Sequence, residues 1–439
     1  MRTERAYDYA EHVIRRKNLV EAVKQTHADR TQGVIVLFAG FEPECSRFLQ
    51  ESSFFYYTGI CEPGVALIID LQGSTTLYVP NCGSVRAKWV AAPLELTQKN
   101  SAILGVDRVE HLGQQCTGYQ IHPFFPRHEY EQIIEALGAV VARGGSMFTL
   151  TPDTPHQYIE QRLLLERLKV FIPNLTERLV DISPLVAHMR RIKSAHELEQ
   201  MYQAIGITAL AQEAAAKAIA EGVNECEVQA SLEYMMTGSC AHPSFPSIVA
   251  SGPNSTVLHY TVNNRAMKAG DLVVVDIGAE YEHYCADITR TYPVSGTFTP
   301  RQRELYELVL ATQEYIAGLA KPGMWLSNKE HPEESLNHLA KKYLADKGYG
   351  NYFPHGIGHF LGLDVHDVGD ATRPLQTGDV ITIEPGIYIP EEGIGIRIED
   401  NYWIIDDGVV CLSEDIPKHP HDIEMLVKES LEAGSDQVN

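Results

Sequence analysis

Four acidic residues sit inside runs of Val, Ile and Leu that otherwise read as buried β-strands. GDLVVVDIGAEYEHYCADITRTYPV (270–294) carries Asp276 and Asp287, and VITIEPGIYIPEEGIGIRIEDNYWII (380–405) carries Glu384 and Glu399. An apolar strand tolerates ionised groups only where something compensates the charge. A hairpin turning at the Tyr281–Glu282 bond places Asp276 directly opposite Asp287, and one turning at the Glu391–Glu392 bond places Glu384 opposite Glu399. Opposed side chains have Cβ atoms about 5 Å apart, so each pair repels itself unless a cation lies between. The spacing predicts a metal site built from two hairpins, against the alternatives of buried salt-bridge partners or solvent-facing acids. Arg397, two residues before Glu399, falls on the same face as that acid.

FPHGIGHFLGLDVHDVG (353–369) adds His355, His359 and His366 among glycines that permit close backbone approach, and VLHYTVNN adds His259. A lone histidine is more often structural, but three so close together beside four such acids reverse that expectation. Four carboxylates and one imidazole suit two divalent ions, whose charge the acids balance. Oxygen-rich ligation favours Mn²⁺, Mg²⁺ and similar hard ions over a thiolate-type zinc site. Two such ions activate water, which suggests hydrolysis, but spacing names no substrate.

A chain of 439 residues is long enough for two or three domains at about 150 residues each. GVIVLFAG (33–40) reads as a buried strand, ALIIDLQGSTTLYVP (66–80) as two strands around a Gly-Ser turn, and 157–170 as a helix. This is a mixed α/β domain, with the junction expected near residue 175: domains 1–175 and 176–439. A long helix opens at Ser194, whose capping box is completed by Glu197, and another at Thr299, with Pro300 first and Gln302 closing the box. A third is expected over about Glu333–Lys347, stopped by Gly348. Strand-rich segments are expected between and after these helices, and the terminal EAGSDQVN reads as frayed.

The net charge of −22 argues against nucleic-acid backbones and anionic membranes as partners. No apolar run approaches the 18 or so residues of a membrane span. The charged opening MRTERAYDYAEHVIRRK is not a secretory signal. Eight cysteines without a Cys-x-x-Cys pair read as reduced thiols of a cytoplasmic protein.

At these residues the chain resembles the pita-bread metallopeptidases, the family of methionine aminopeptidase, aminopeptidase P and prolidase. The run SGPNSTVLHYTVNNRAMKAGDLVVVDIGAEYEHYCADITRTYPVSGTFTPRQRELYELVL is most similar to the Xaa-Pro aminopeptidase branch, and PHGIGHFLGLDVHDVG, TIEPGIY and GIGIRIEDN follow in family order. The likeness covers about 180–425, while LQESSFFYYTGICEPGVALIID (49–70) resembles the N-terminal domain shared by aminopeptidase P and prolidase. It implies an α/β (α+β) chain: a C-terminal pita-bread domain preceded by a smaller mixed α/β domain of creatinase/prolidase type.

The resemblance also implies that Asp276, Asp287, His359, Glu384 and Glu399 bind two divalent ions, Asp287 and Glu399 bridging. Mn²⁺ is the first choice, with Co²⁺, Zn²⁺ or Fe²⁺ as alternatives. Glu384 is then the proton carrier, His259, His355 and His366 contact substrate, and Arg397 supports Glu399. Phe245 falls at the proline pocket, against the reading of an ordinary core aromatic. Trp89 aligns with a tryptophan that relatives lend to a neighbouring subunit, against the reading of a local core residue, and a homodimer or homotetramer follows.

The implied activity is removal of the N-terminal residue from peptides with proline second. The alternative is a prolidase restricted to Xaa-Pro dipeptides. A remote alternative is a non-catalytic peptide-binding protein, which five intact ligand positions disfavour. A dipeptidase needs a fixed cation for the free proline carboxylate, and Arg373 is the only arginine in the loop DATRPLQTGD.

Overall fold

Strand-forming runs in the first part of the chain pair into a six-stranded mixed sheet. Its order is Arg108–His111, Thr75–Val79, Ala66–Asp70, Gly33–Phe38, Ser146–Thr149, Leu179–Asp181. The expected turn between the strands of 66–80 is present, and the Asp70 carboxylate accepts from the backbone N–H of Gln72 and Ser74. Helices Glu131–Ala142 and Ile159–Phe171 pack Ile133, Leu137, Leu164 and Leu168 against Val34, Val36 and Phe38. Each such side chain contributes about 1.5–3 kcal/mol by leaving water. The first helix, Ala10–Thr26, buries His12, Arg15 and Arg16. All three hydrogen-bond the carbonyls of Tyr56 or Tyr57 at the end of helix Ser52–Thr58, where the helix dipole favours cations.

The computed structural model describes residues 9–91, 95–121, 126–154, 157–369 and 372–435. The chain divides into two compact units, Met1–Met189 and Arg190–Asn439. That boundary lies beyond the expected junction near 175, because Leu179–Asp181 adds in parallel to Ser146–Thr149 as the outer strand of the first sheet.

In the second unit both expected capping boxes form. Ser194 with Glu197 opens helix Ala195–Ala218, and Thr299 with Gln302 opens helix Pro300–Leu319. The third expected helix is Leu336–Asp346. Two more helices stand where strands were expected. Glu225–Gly238 has its own box, Asn224 with Glu227, and Pro420–Ser435 runs into the segment read as frayed, of which 436–439 lie outside the described residues.

The strands between are antiparallel. Leu272–Ile277 pairs with both Ile288–Pro293 and Ile248–Ser251, and Asp400–Ile405 with both Val380–Ile383 and Gly408–Cys411. Val273, Val275 and Ile277 pack into the main core with Ala211, Ala215, Leu305 and Val309 of the helices. By alternation Val274 and Asp276 point the other way, and Val274 packs with Ile248 and Ala250.

The registers of the two acid-bearing hairpins differ from each other in their fidelity to the sequence arithmetic. In the first, Asp276 pairs with Thr289, not Asp287. The turn consists of Glu282 and His283, at φ 47° and 71°, closed by the pair Tyr281–Tyr284. The ladder is therefore displaced by two residues from the expectation. Two residues are one strand period, so both aspartates keep the same face, as diagonal rather than opposed neighbours. In the second, Gly386 pairs with Arg397 and Ile383 with Asp400, so Glu384 and Glu399 occupy opposed positions between two ladders, as expected.

Candidate metal centre and active site

A cavity of about 830 Å³ in the second unit is lined by Asp276, Asp287, His359, Glu384 and Glu399, together with His259, His355, His366, Arg397 and Phe245. All ten of the candidate residues from the second half of the chain thus come together.

Asp287, Glu384 and Glu399 sit where strands break, whereas Asp276 lies within Leu272–Ile277, one residue from its end. Asp287 follows Ala286, whose N–H bonds the Ala279 carbonyl, and its own backbone N–H and carbonyl are both held by the Asn401 side chain. Glu399 donates its N–H to the carbonyl of Thr289, so one hairpin is tied to the other beside the acids. His359 comes from an irregular segment. Its N–H is held by Thr382 Oγ1, and its Nδ1 lies 3.0 Å from the Phe360 carbonyl. That bond requires the proton on Nδ1 and leaves the Nε2 lone pair facing the acids. Nε2 lies 3.4 Å from Asp287 Oδ2 and 3.6 Å from Glu384 Oε1.

Ligand atoms of Asp287, His359 and Glu399 lie within 4.8 Å of one another. Asp276 Oδ1, Asp287 Oδ1 and Glu399 Oε1 are buried without a hydrogen-bond partner among the described residues. Buried carboxylate oxygens of that kind are costly unless a cation takes them up. The proton affinities agree. Burial first, and then repulsion from Asp276 and Glu384, pushes Asp287 well above the usual carboxylate range. Glu399 is raised by burial and then by Asp287, and Glu384 chiefly by burial. Inward-facing carboxylate oxygens with one imidazole fit hard divalent ions.

Arg397 braces this cluster. Its Nη2 donates to Asp276 Oδ2 at 2.7 Å, its Nε to Thr289 Oγ1 at 3.1 Å, and its Nη1 to the Tyr388 hydroxyl at 2.7 Å. The expectation that Arg397 supports Glu399 is met only at one remove. Thr289 Oγ1 accepts from Arg397 and donates to Glu399 Oε2 at 2.8 Å, while the direct ion pair is with Asp276. With its oxygen occupied by Arg397, the Tyr388 hydroxyl donates to His355 Nε2 at 3.0 Å. Burial, then Arg397, lowers His355 to about 4, so it is neutral at physiological pH. The His366 ring centroid lies 4.2 Å from that of His359 with the planes tilted by 54°, and His366 is also lowered, by burial and then by His359 and His259.

The cavity also has apolar lining from Phe245, Pro246, Ile248, Leu258 and Val365. Trp89 belongs to the first unit. It is 66% exposed and stacks on Tyr119 with centroids 4.6 Å apart, which removes the alternative of a local core residue.

Several supporting groups were invisible to motif reading. Arg290 is fully buried and donates to the carbonyls of Thr289, Glu399, Ile416 and Pro417 as well as to Asp400. Burial alone would raise Asp400, but Arg290 and Lys418 outweigh it and hold the carboxylate low. Arg190 and Lys193 both pair with buried Asp367, next to His366, and Arg191 pairs with Asp379. Arg190 and Arg191 close the helix Ser183–Arg191, whose last turn favours cations, so their clustering carries no signal of these partners.

Comparison with known proteins places these observations. The description "Metallopeptidase family M24" matches residues 199–406, and "Aminopeptidase P, N-terminal domain" matches 12–117. A Haemophilus influenzae Xaa-Pro aminopeptidase is 33% identical over 410 residues, covering 87% of this chain and 88% of the relative. A Pyrococcus furiosus Xaa-Pro dipeptidase is 40% identical over 238 residues, covering 53% of this chain and 66% of the relative. The structure of an Escherichia coli aminopeptidase P in complex with substrate superposes with a TM-score of 0.80 at 28% identity, over 97% of this chain and 99% of that one.

Proposed function

The chain belongs to metallopeptidase family M24, and on that premise we propose that it removes the N-terminal residue from peptides whose second residue is proline. In this reading Asp276, Asp287, His359, Glu384 and Glu399 hold two divalent ions. The observation that carries it is the convergence of orphaned carboxylate oxygens and a partly apolar lining in one cavity. Proline nitrogen has no hydrogen and its ring is apolar, so a pocket with Phe245, Pro246 and Leu258 accepts it without leaving an unmet amide.

Bound divalent ions supply Lewis acidity and lower the pKa of water. Glu384, whose proton affinity is raised mainly by burial, is placed to take a proton and pass it to the leaving proline nitrogen. His355 and His366 stay neutral and so orient substrate without adding charge. His259, exposed on the cavity wall, donates to the developing oxyanion.

An aminopeptidase is favoured over a dipeptidase because of the cations. Among the described lining residues Arg397 is the one permanent cation, and it is committed to Asp276, Tyr388 and Thr289; Arg373 does not line the cavity. The oxygen-rich donors support manganese. Eight scattered cysteines without a Cys-x-x-Cys pair support a reducing, cytoplasmic compartment. Among the described residues no helix is long and apolar enough to cross a membrane. The net charge of −22 supports a protein that avoids nucleic acid and anionic membranes, and the exposed Trp89 supports assembly as a homodimer or homotetramer. The test is a comparison of rates on Xaa-Pro-Xaa and Xaa-Pro with added Mn²⁺. Preference for the dipeptide overturns the aminopeptidase version, and hydrolysis of neither overturns the reading itself.

A further inference from the structure

Behind each acid-bearing hairpin a buried glutamine points from a helix at the backbone beside the acids. Gln212, in helix Ala195–Ala218, donates Nε2 to the carbonyls of Val275 at 3.3 Å and Ile288 at 2.8 Å. Those residues precede Asp276 and follow Asp287. Gln313, in helix Pro300–Leu319, donates Nε2 to the carbonyls of Ile383 at 3.1 Å and Ile398 at 3.3 Å, which precede Glu384 and Glu399, and to Asp400 Oδ2 at 3.1 Å. The two glutamines are 1% and 0% exposed. Their amide orientation is fixed by what they accept. Lys418, which has only donors, lies 3.0 Å from Gln313 Oε1, and the Tyr292 hydroxyl donates to Gln212 Oε1 at 3.1 Å.

We propose that Gln212 and Gln313 are positioning residues for the metal centre, each pinning together the two strands of one hairpin so that its acids keep the spacing two ions require. The inference rests on the proposed metal centre. One amide bonds a carbonyl of each strand, next in sequence to an acid on both. Without it, repulsion between the buried carboxylates is free to spread the hairpin. The helix dictates the pin's reach, so the ligand spacing is set by packing rather than by the ion.

The experiment is titration of the chelator-treated full-length protein with Mn²⁺ by calorimetry, alongside thermal melts without metal. Gln212→Met and Gln313→Met remove the donor at similar volume and are expected to weaken Mn²⁺ binding by about 10–100-fold, the usual scale for losing a group that orients ligands. Gln302→Met is the matched control. That glutamine is also buried and donates to a backbone carbonyl, Gly270, away from the acids, and its loss should leave Mn²⁺ affinity unchanged. Should either test variant fail to fold, Tyr292→Phe releases the Gln212 amide more gently and should still weaken binding. Wild-type affinity in Q212M, Q313M or Y292F overturns the inference, as does an equal loss in Q302M, which would trace the effect to general destabilisation. A wild-type chain that binds no Mn²⁺ overturns instead the metal-centre reading on which it stands.

Discussion

The hairpin that carries Asp276 and Asp287 is closed by Glu282 and His283, both at positive φ and neither a glycine. The hairpin that carries Glu384 and Glu399 is closed by Pro390–Gly393, with glycine at its one left-handed position, φ 63°. Two successive left-handed residues make the tight turn whose twist matches a β-ribbon. Histidine is among the few residue types enriched there. The first hairpin therefore accepts backbone strain to fix a two-residue loop, while the second uses a longer, relaxed one. The acids differ accordingly, diagonal in the first pair and opposed in the second. Fold and face survive an even displacement of register, whereas an odd one would carry an aspartate out of the site.

The comparison breaks most completely if one acid is removed. Asp287→Ala should abolish peptide hydrolysis while leaving the far-ultraviolet spectrum and melting cooperativity intact. Full turnover by that variant after chelation would show that the hairpins do not build the centre.

Cutting the link between the hairpins comes next. Arg397→Met leaves Asp276 buried without its cation and should destabilise the metal-free protein by about 3–5 kcal/mol, read from urea unfolding. A loss below about 1 kcal/mol, the scale of an exposed pair, would show the ion pair to be incidental.

A group outside both hairpins sharpens the contrast. His259→Ala should lower kcat by roughly 10²–10³-fold, the effect of losing one oxyanion donor, with Mn²⁺ content retained. Parallel loss of metal would make His259 a ligand.

The cluster as a whole predicts a pH dependence. Asp287, Glu384 and Glu399 are held above the ordinary range, so the metal-free folded state keeps protons that the unfolded chain releases. Their contribution to stability is fully present below the unfolded value of about 4 and is lost as pH rises through the raised folded values. The metal-free protein should weaken over that window, Mn²⁺ should reverse the loss, and binding should expel protons. Calorimetry in buffers of different ionisation heat counts them, and a count of zero contradicts the coupling.

The smallest effects test the turns themselves. His283→Gly should stabilise the first hairpin by about 1 kcal/mol, and Gly393→Ala should destabilise the second by a similar amount. Equal responses in urea melts would erase the distinction between strained and relaxed closure.

Much of this is legible in the sequence. The boxes at Ser194 and Thr299 announced their helices because capping is local chemistry. The opposed glutamates followed from parity and a turn placed correctly. The aspartate register differs from the expectation because Tyr281-Glu282-His283 holds no glycine or asparagine, and His283 alone is a weak mark of which two residues turn. Gln212 and Gln313 were silent because one polar residue on an apolar helix face resembles noise until its carbonyl partners are seen. Helix Glu225–Gly238 carries a local signal of the same kind in the box of Asn224 and Glu227.

Arg290 gives the far end of the second unit a part in a centre to which it contributes no ligand. Its buried guanidinium is satisfied only when Thr289, Glu399, Asp400 and the segment Ile416–Pro417 are all in place. Two of its acceptors, the carbonyls of Ile416 and Pro417, lie beyond every acid and histidine of the cavity, so an altered backbone there would leave donors of a buried cation unmet beside Glu399.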